Sequence, residues 1–222
     1  MTTRAILFDL DGTLVDSIPD LAEAVKMMLA ELGEPPRSEQ EVRAFVGKGI
    51  PHLVRSALAA GRGPRTDDEV KRAIAVFQRH YAVTNGHKTT IYPGVLSGLS
   101  ALHKAGVVMG CITNKDAAFT QALLAQLGLA QFFGSVVSGD TLPQKKPDPH
   151  PLWHACEQLR VGRDEAMMVG DSVNDALAAR NAGIRVLLVT YGYSEGVPVD
   201  TIDCDGLLSS INELPARIGL AV

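Results

Sequence analysis

Five short, nearly unbroken apolar runs punctuate the chain, at residues 5–8, 107–113, 136–138, 166–169 and 185–190. Each is rich in Val, Ile, Leu or Met and is bounded by Gly, Asp or Asn. Runs without polar alternation suit strands covered on both faces, as in a parallel sheet. Between most of them the spacing turns helical. Residues 117–127 place Leu123, Leu124 and Leu127 on one face, and residues 173–182 form an alanine-rich segment followed by Gly183, a suitable C-terminal cap. Strand–helix alternation predicts a doubly wound, Rossmann-like α/β fold.

One stretch breaks this rhythm. Residues 17–86 contain no strand-like run. Ser17 is placed to cap a helix running to about Leu32, and Ser38…Glu41 and Thr66…Glu69 have the spacing of capping boxes. Residues 50–60 add an amphipathic segment. The pattern predicts an all-helical insert after the first strand, with residues 1–16 and 87–222 forming the α/β core and 17–86 a small separate domain. Asn85-Gly86 to Pro93-Gly94 reads as its hinge.

Composition narrows the function classes. The 222 residues carry a formal net charge of −4 with no long run of like charge, which argues against a nucleic-acid partner. No run of about 18 apolar residues is present, so no membrane span is expected. The three cysteines, Cys111, Cys156 and Cys204, are widely spaced and odd in number, which suits free thiols in a reducing compartment. The first apolar run is too short for a signal peptide and ends in aspartates, so a cytoplasmic protein is expected. The six histidines show no metal-ligand spacing, and Trp153 and Cys111 read as packing residues.

The strand ends carry the chemistry. In open α/β sheets ligands bind beyond the carboxyl ends of the strands. The first run ends Asp9-Leu10-Asp11-Gly12-Thr13, the second Thr113-Asn114-Lys115, and the fourth Gly170-Asp171-Ser172-Val173-Asn174-Asp175. A loop with Lys145-Lys146-Pro147-Asp148-Pro149 lies between the last two. Taken singly, Asp11-Gly12 is a turn signal, Thr113 or Asn114 a helix cap, and Lys146-Pro147 a surface turn. Together they place carboxylates, a hydroxyl, an amide and a lysine at one edge of the sheet.

In this set of motifs, DLDGTLVDS, ITNK, KKPDP and GDSVND, the chain resembles the haloacid dehalogenase superfamily of phosphatases. The resemblance implies a core sheet in the order 3-2-1-4-5, with the helical insert as a cap domain. It also implies a Mg²⁺ site using side chains of Asp9 and Asp171 and the backbone carbonyl of Asp11, with Asp175 orienting ligands or waters from behind. Asp9 is then the nucleophile and Asp11 the acid and base. Thr113, Asn114 and Lys146 hold phosphoryl oxygens, Lys146 being preferred to Lys145 because it directly precedes the proline. Physical chemistry agrees: three carboxylates and an anionic phosphate cannot share a site without a cation.

Val46-Gly47-Lys48-Gly49, Ile91-Tyr92-Pro93-Gly94-Val95, Gly139-Asp140-Thr141-Leu142-Pro143 and Tyr191-Gly192-Tyr193 resemble bacterial phosphoglycolate phosphatases in particular. Lys48 replaces an expected asparagine and is a candidate for binding the substrate carboxylate. The alternatives are a nucleotide or sugar-phosphate phosphatase, a sugar-phosphate mutase, or a non-catalytic binding protein on the same fold. Thr13 stands where the mutases tend to carry valine, and a non-catalytic relative would typically lack a motif residue, whereas none is missing here. The remaining expectations are a small phosphate ester as the partner and a monomer or homodimer as the assembly.

Overall fold

The computed structural model describes residues 3–220. In chain order the elements are β1 (Ala5–Phe8), β2 (Val15–Asp16), α1 (Ile18–Glu31), α2 (Glu39–Phe45), α3 (Ile50–Arg62), α4 (Asp67–Thr84), β3 (Thr90–Ile91) and α5 (Val95–Lys104). They continue with β4 (Val108–Ile112), α6 (Ala117–Gln126), β5 (Ser135–Val137), α7 (His150–Leu159), β6 (Ala166–Gly170), α8 (Val173–Ala182), β7 (Arg185–Val189), β8 (Leu207–Leu208) and α9 (Leu214–Arg217).

The main sheet has six parallel strands in the order β5-β4-β1-β6-β7-β8. The edge strand β8 was not foreseen, since two residues carry no periodicity. β1 lies at the centre, so its C-terminal end opens at the middle of the molecule. Its side chains alternate between two cores. Ile6 and Phe8 join Val95, Leu99 and Leu123 on one face, while Ala5 and Leu7 join Leu152, Ala155 and Ala179 on the other. This two-sided burial is why the strand reads as a continuous apolar run.

Helices α1–α4 form a layer with its own core, including Val25, Met28, Leu53, Val54, Phe77 and Tyr81. Both expected capping boxes are made: Ser38 with Glu41, and Thr66 with Glu69. Gly183 closes α8 in the left-handed conformation, φ 71°. The chain enters the helical layer through β2 and leaves through β3, and these two strands pair antiparallel, Val15 with Ile91 and Asp16 with Thr90. The buried Asp20 carboxylate, in the first turn of α1, reinforces this junction. It accepts hydrogen bonds from the backbone N–H groups of Gly86 (2.9 Å), Lys88 (2.8 Å) and Thr89 (2.9 Å) and from Thr89 Oγ1 (2.6 Å). Among the described residues no helix is long and apolar enough to cross a membrane.

Candidate active site

Parallel pairing brings the strand-end residues together. Asp9 N–H donates to Val169 O (2.9 Å) and Thr113 N–H to Val137 O (2.9 Å), so each motif begins where the ladder of the sheet ends. Asp9, Thr113, Asn114, Lys146, Asp171 and Asp175 are all buried at this edge. The loop after β1 turns back tightly through Gly12, whose φ of 94° is a left-handed conformation suited to glycine.

Carboxylate oxygens of Asp9, Asp171 and Asp175 lie within 4.8 Å of one another. Lys146 Nζ donates to Asp9 Oδ1 and to Asp175 Oδ1, each at 2.7 Å. Burial raises the Asp9 pKa well above the ordinary carboxylate value; the Lys146 charge opposes the rise, and Asp175 and Asp171 add to it. Asp171 is pushed up to about 7 by burial and by the Asp175 charge. Hydrogen bonds to Asp171 from the N–H groups of Tyr193 (2.7 Å) and Ser194 (3.3 Å) and from Thr13 Oγ1 (3.1 Å) partly offset this.

These features test the site for a metal. One ammonium bonds two of the three carboxylates, leaving Asp171 without a cation partner among the described residues, and an all-oxygen donor set of this kind fits Mg²⁺. Asp175 is tied to its own helix start and to the lysine: Oδ1 accepts from Lys146, and Oδ2 accepts from Ser172 Oγ (2.8 Å) and from the N–H groups of Asp171 and Ser172 (both 3.2 Å). Its side chain therefore braces the start of α8. Two glycines confine Asp171. A Cβ on Gly12 would stand 2.5 Å from Asp171 Oδ2, and one on Gly192 would overlap the Asp171 side chain.

The Asp11 carboxylate points elsewhere. Lys115 Nζ donates to its Oδ1 and Oδ2, both at 3.0 Å, and Ser17 Oγ donates to Oδ1 at 2.6 Å. Lys115 is buried and was not singled out in the sequence, although it ends the ITNK motif. Ser17 departs from expectation: it sits at the head of α1 but makes no side-chain cap, its hydroxyl being used on Asp11.

Two further candidates are arranged differently from what their residue types suggest. Asn114 was expected to hold a phosphoryl oxygen through its amide. Instead both amide hydrogens are committed, to Gly47 O (3.0 Å) and Lys146 O (2.9 Å), and its Oδ1 accepts from Lys146 N (3.0 Å). Its side chain is a staple between the lysine loop and the helical layer. Lys48 was expected to reach the substrate. The turn does reach the site, where Gly47 and Gly49 line a cavity, but the Lys48 side chain is exposed and is not part of the lining. The two candidate lysines of the loop also separate: Lys146 is buried among carboxylates, whereas Lys145 is partly exposed and 3.9 Å from Asp116.

The cavity lies between the strand ends and the helical layer. Asp9, Asp11, Thr113, Asn114 and Lys115 form its floor, and Leu21, Val46, Ile50, Leu53 and Tyr81 its roof. A smaller chamber beside it is lined by Asp9, Lys146, Asp171 and Asp175 among others. Thr113 Oγ1 accepts from Lys115 N–H (3.2 Å), which leaves the hydroxyl hydrogen available.

Comparison with known proteins places this geometry. A sequence model of the haloacid dehalogenase-like hydrolases matches residues 3–183. The chain is 46% identical over 211 residues to a phosphoglycolate phosphatase of Nitrosospira multiformis, covering 95% of this chain and 93% of that one. It is also 46% identical over 215 residues to a plasmid-borne phosphoglycolate phosphatase of Cupriavidus necator, covering 96% and 92%. The crystal structure of a predicted phosphoglycolate phosphatase from Haemophilus somnus superposes with a TM-score of 0.92 at 31% identity, covering 98% of each chain. A family match over most of the chain, with relatives this similar along nearly their full length, makes this protein an enzyme of the haloacid dehalogenase-like hydrolase family.

Proposed function

We propose that the enzyme hydrolyses a small phosphomonoester, 2-phosphoglycolate, through an aspartyl-phosphate on Asp9. The observation that carries this reading is the convergence of Asp9 with Lys146 and Asp171 at the end of the central strand, beneath a mostly apolar roof. The named activity of the relatives supports the choice of substrate. So does the roof: apart from Tyr81 it presents Leu21, Val46, Ile50 and Leu53, so most hydroxyls of a sugar phosphate would lack polar partners, at a cost of about 1–3 kcal/mol each.

In the first step an Asp9 carboxylate oxygen attacks phosphorus, and the bond to the glycolate oxygen breaks as Asp11 gives that oxygen a proton. In the second, water attacks phosphorus, Asp11 takes its proton, and inorganic phosphate leaves with Asp9 restored. Lys115 and Ser17 hold the Asp11 side chain for both transfers. Lys146 steadies Asp9 and has a third N–H for a phosphoryl oxygen, and the Thr113 hydroxyl can donate to another. Asp9 and Asp171 would hold Mg²⁺ together with the Asp11 carbonyl, and Asp175 would keep Lys146 and the α8 turn in place. When bound, the cation offsets the charge of the carboxylates and of the transferring phosphoryl group. We take residues 17–86 as a cap over this site.

The test is phosphate release from a panel of 2-phosphoglycolate, sugar phosphates and nucleotides, with Mg²⁺ or with excess chelator, for wild type and Asp9→Asn. We expect 2-phosphoglycolate to lead the panel, chelator to stop release, and Asp9→Asn to be inert while folded. Full release in chelator, or phosphate trapped on a residue other than Asp9, refutes the mechanism; a nucleotide or sugar phosphate leading the panel refutes the substrate.

A further inference from the structure

The Tyr81 hydroxyl is a polar group left over by the mechanism above. Tyr81 projects from α4 into the roof of the cavity and is fully buried. Its ring stacks on Phe77, with centroids 5.3 Å apart, and meets Phe119 at 4.8 Å, so its direction is fixed by packing. Lys115 is close enough to interact with the Tyr81 oxygen, but the hydroxyl makes no well-formed hydrogen bond, and its own hydrogen has no acceptor among the described residues. Burying a hydroxyl unpaired is costly, and an acceptor in the cavity would relieve that cost.

Lys115 lies next to it, with Nζ 5.0 Å from the Tyr81 ring centroid and bonded to Asp11 on its other side. An ammonium has three hydrogens. Two serve the Asp11 oxygens, and the third is left on the side of the cavity and Tyr81. A buried cation and a buried, unpaired O–H thus meet at one place in an otherwise apolar roof. That place is next to Asp11, the residue that protonates the departing oxygen, so the leaving group must pass close to it.

We propose that Tyr81 Oη and Lys115 Nζ form the subsite that reads a carboxylate on the leaving group. They select a phosphorylated short hydroxy acid over an uncharged ester of the same size. This rests on the substrate reading above and gives it the recognition element that Lys48, exposed beyond the cavity lining, does not supply. The pair spans both layers, Tyr81 from the helices and Lys115 from the sheet edge, so the carboxylate is held only where the two meet.

The experiment compares kcat/KM for 2-phosphoglycolate and ethyl phosphate, whose leaving group lacks the carboxylate, and reads the ratio of the two. Tyr81→Phe keeps the ring packing and removes the oxygen; circular dichroism and thermal melting verify the fold. The wild-type ratio should favour 2-phosphoglycolate, and Tyr81→Phe should reduce it about 10-fold, the effect of one hydrogen bond to a charged group. Lys115→Gln will slow both substrates through Asp11, but it should reduce the same ratio by at least as much. A wild-type preference that both variants leave unchanged overturns the subsite alone. A wild type without preference overturns the subsite and the substrate reading together.

Discussion

Removing the Asp20 carboxylate should destabilise the protein by several kcal/mol. Asp20 is only 1% exposed and accepts four hydrogen bonds, three of them from buried donors: Gly86 N, Thr89 N and Thr89 Oγ1. The fourth, from Lys88 N, is partly buried. In Asp20→Ala these donors lose their acceptor, and each buried unsatisfied donor costs about 1–3 kcal/mol. The vacated volume admits water that can satisfy some of them, so the net loss should be about 3–5 kcal/mol, a large share of the 5–15 kcal/mol typical of a domain. Asp20→Asn is the informative control. Three of the four bonds converge on Oδ2, which an amide oxygen can replace, while the amide nitrogen would face only Lys88 N–H. Its loss should be about 1–2 kcal/mol. Urea unfolding followed by Trp153 fluorescence and far-UV circular dichroism measures both. With a slope of about 2–3 kcal/mol/M the alanine variant should shift the midpoint down by about 1–2 M. Equal losses for Ala and Asn, or an alanine loss below about 1 kcal/mol, would refute the bond-by-bond reasoning.

Asp11→Asn should slow hydrolysis of an alkyl phosphate, whose leaving group needs a proton, far more than phosphorylation of the enzyme by an activated aryl phosphate; equal losses in single-turnover assays would contradict an acid role. The metal-free protein should show a pH signature. Burial raises Asp9 and brings Asp171 to about 7, so the folded form keeps protons that the unfolded chain, titrating near 4, has lost. The Asp171 contribution is therefore favourable below about pH 4 and is lost as pH rises through about 7, and the raised Asp9 acts in the same direction. Mg²⁺ needs the deprotonated carboxylates, so the rise in Tm on adding it should be larger at pH 8 than at pH 5.5 and should vanish in Asp171→Asn; a pH-independent rise would count against the site.

What could be read from the sequence divides along physical lines. Apolar runs without alternation mark buried parallel strands, and a carboxylate just after such a run must lie at the sheet edge; this made Asp9 and Asp171 legible. Capping boxes are local, so Ser38 and Thr66 were legible too. The long-range partnerships were not. Lys115 meets Asp11, 104 positions away, and nothing in the local pattern distinguishes it from a surface lysine. Ser17 has the residue type of a cap and the position of one, but a carboxylate from the preceding loop competes for its hydroxyl and wins. Asn114 likewise has the right chemistry for phosphate, but backbone groups of Gly47 and Lys146 occupy its amide. Asp20 carries no signal of its own in the sequence, and only the return of the chain at residues 86–89 shows what it binds. β2, β3 and β8 are too short for any period to register.

The confinement of Asp171 between Gly12 and Gly192 has a consequence for how such a site can change over evolutionary time. Neither glycine offers a functional group, yet a single methyl at either position would displace the carboxylate as surely as replacing it. The two positions belong to loops after different strands, β1 and β7, so the gap is a joint property of segments 180 positions apart and neither can drift alone. The roof of the cavity is under no such restriction, because its apolar side chains can be exchanged for others of similar volume. Substrate preference can therefore diverge through the helical layer while the empty space beneath it holds the chemistry in place.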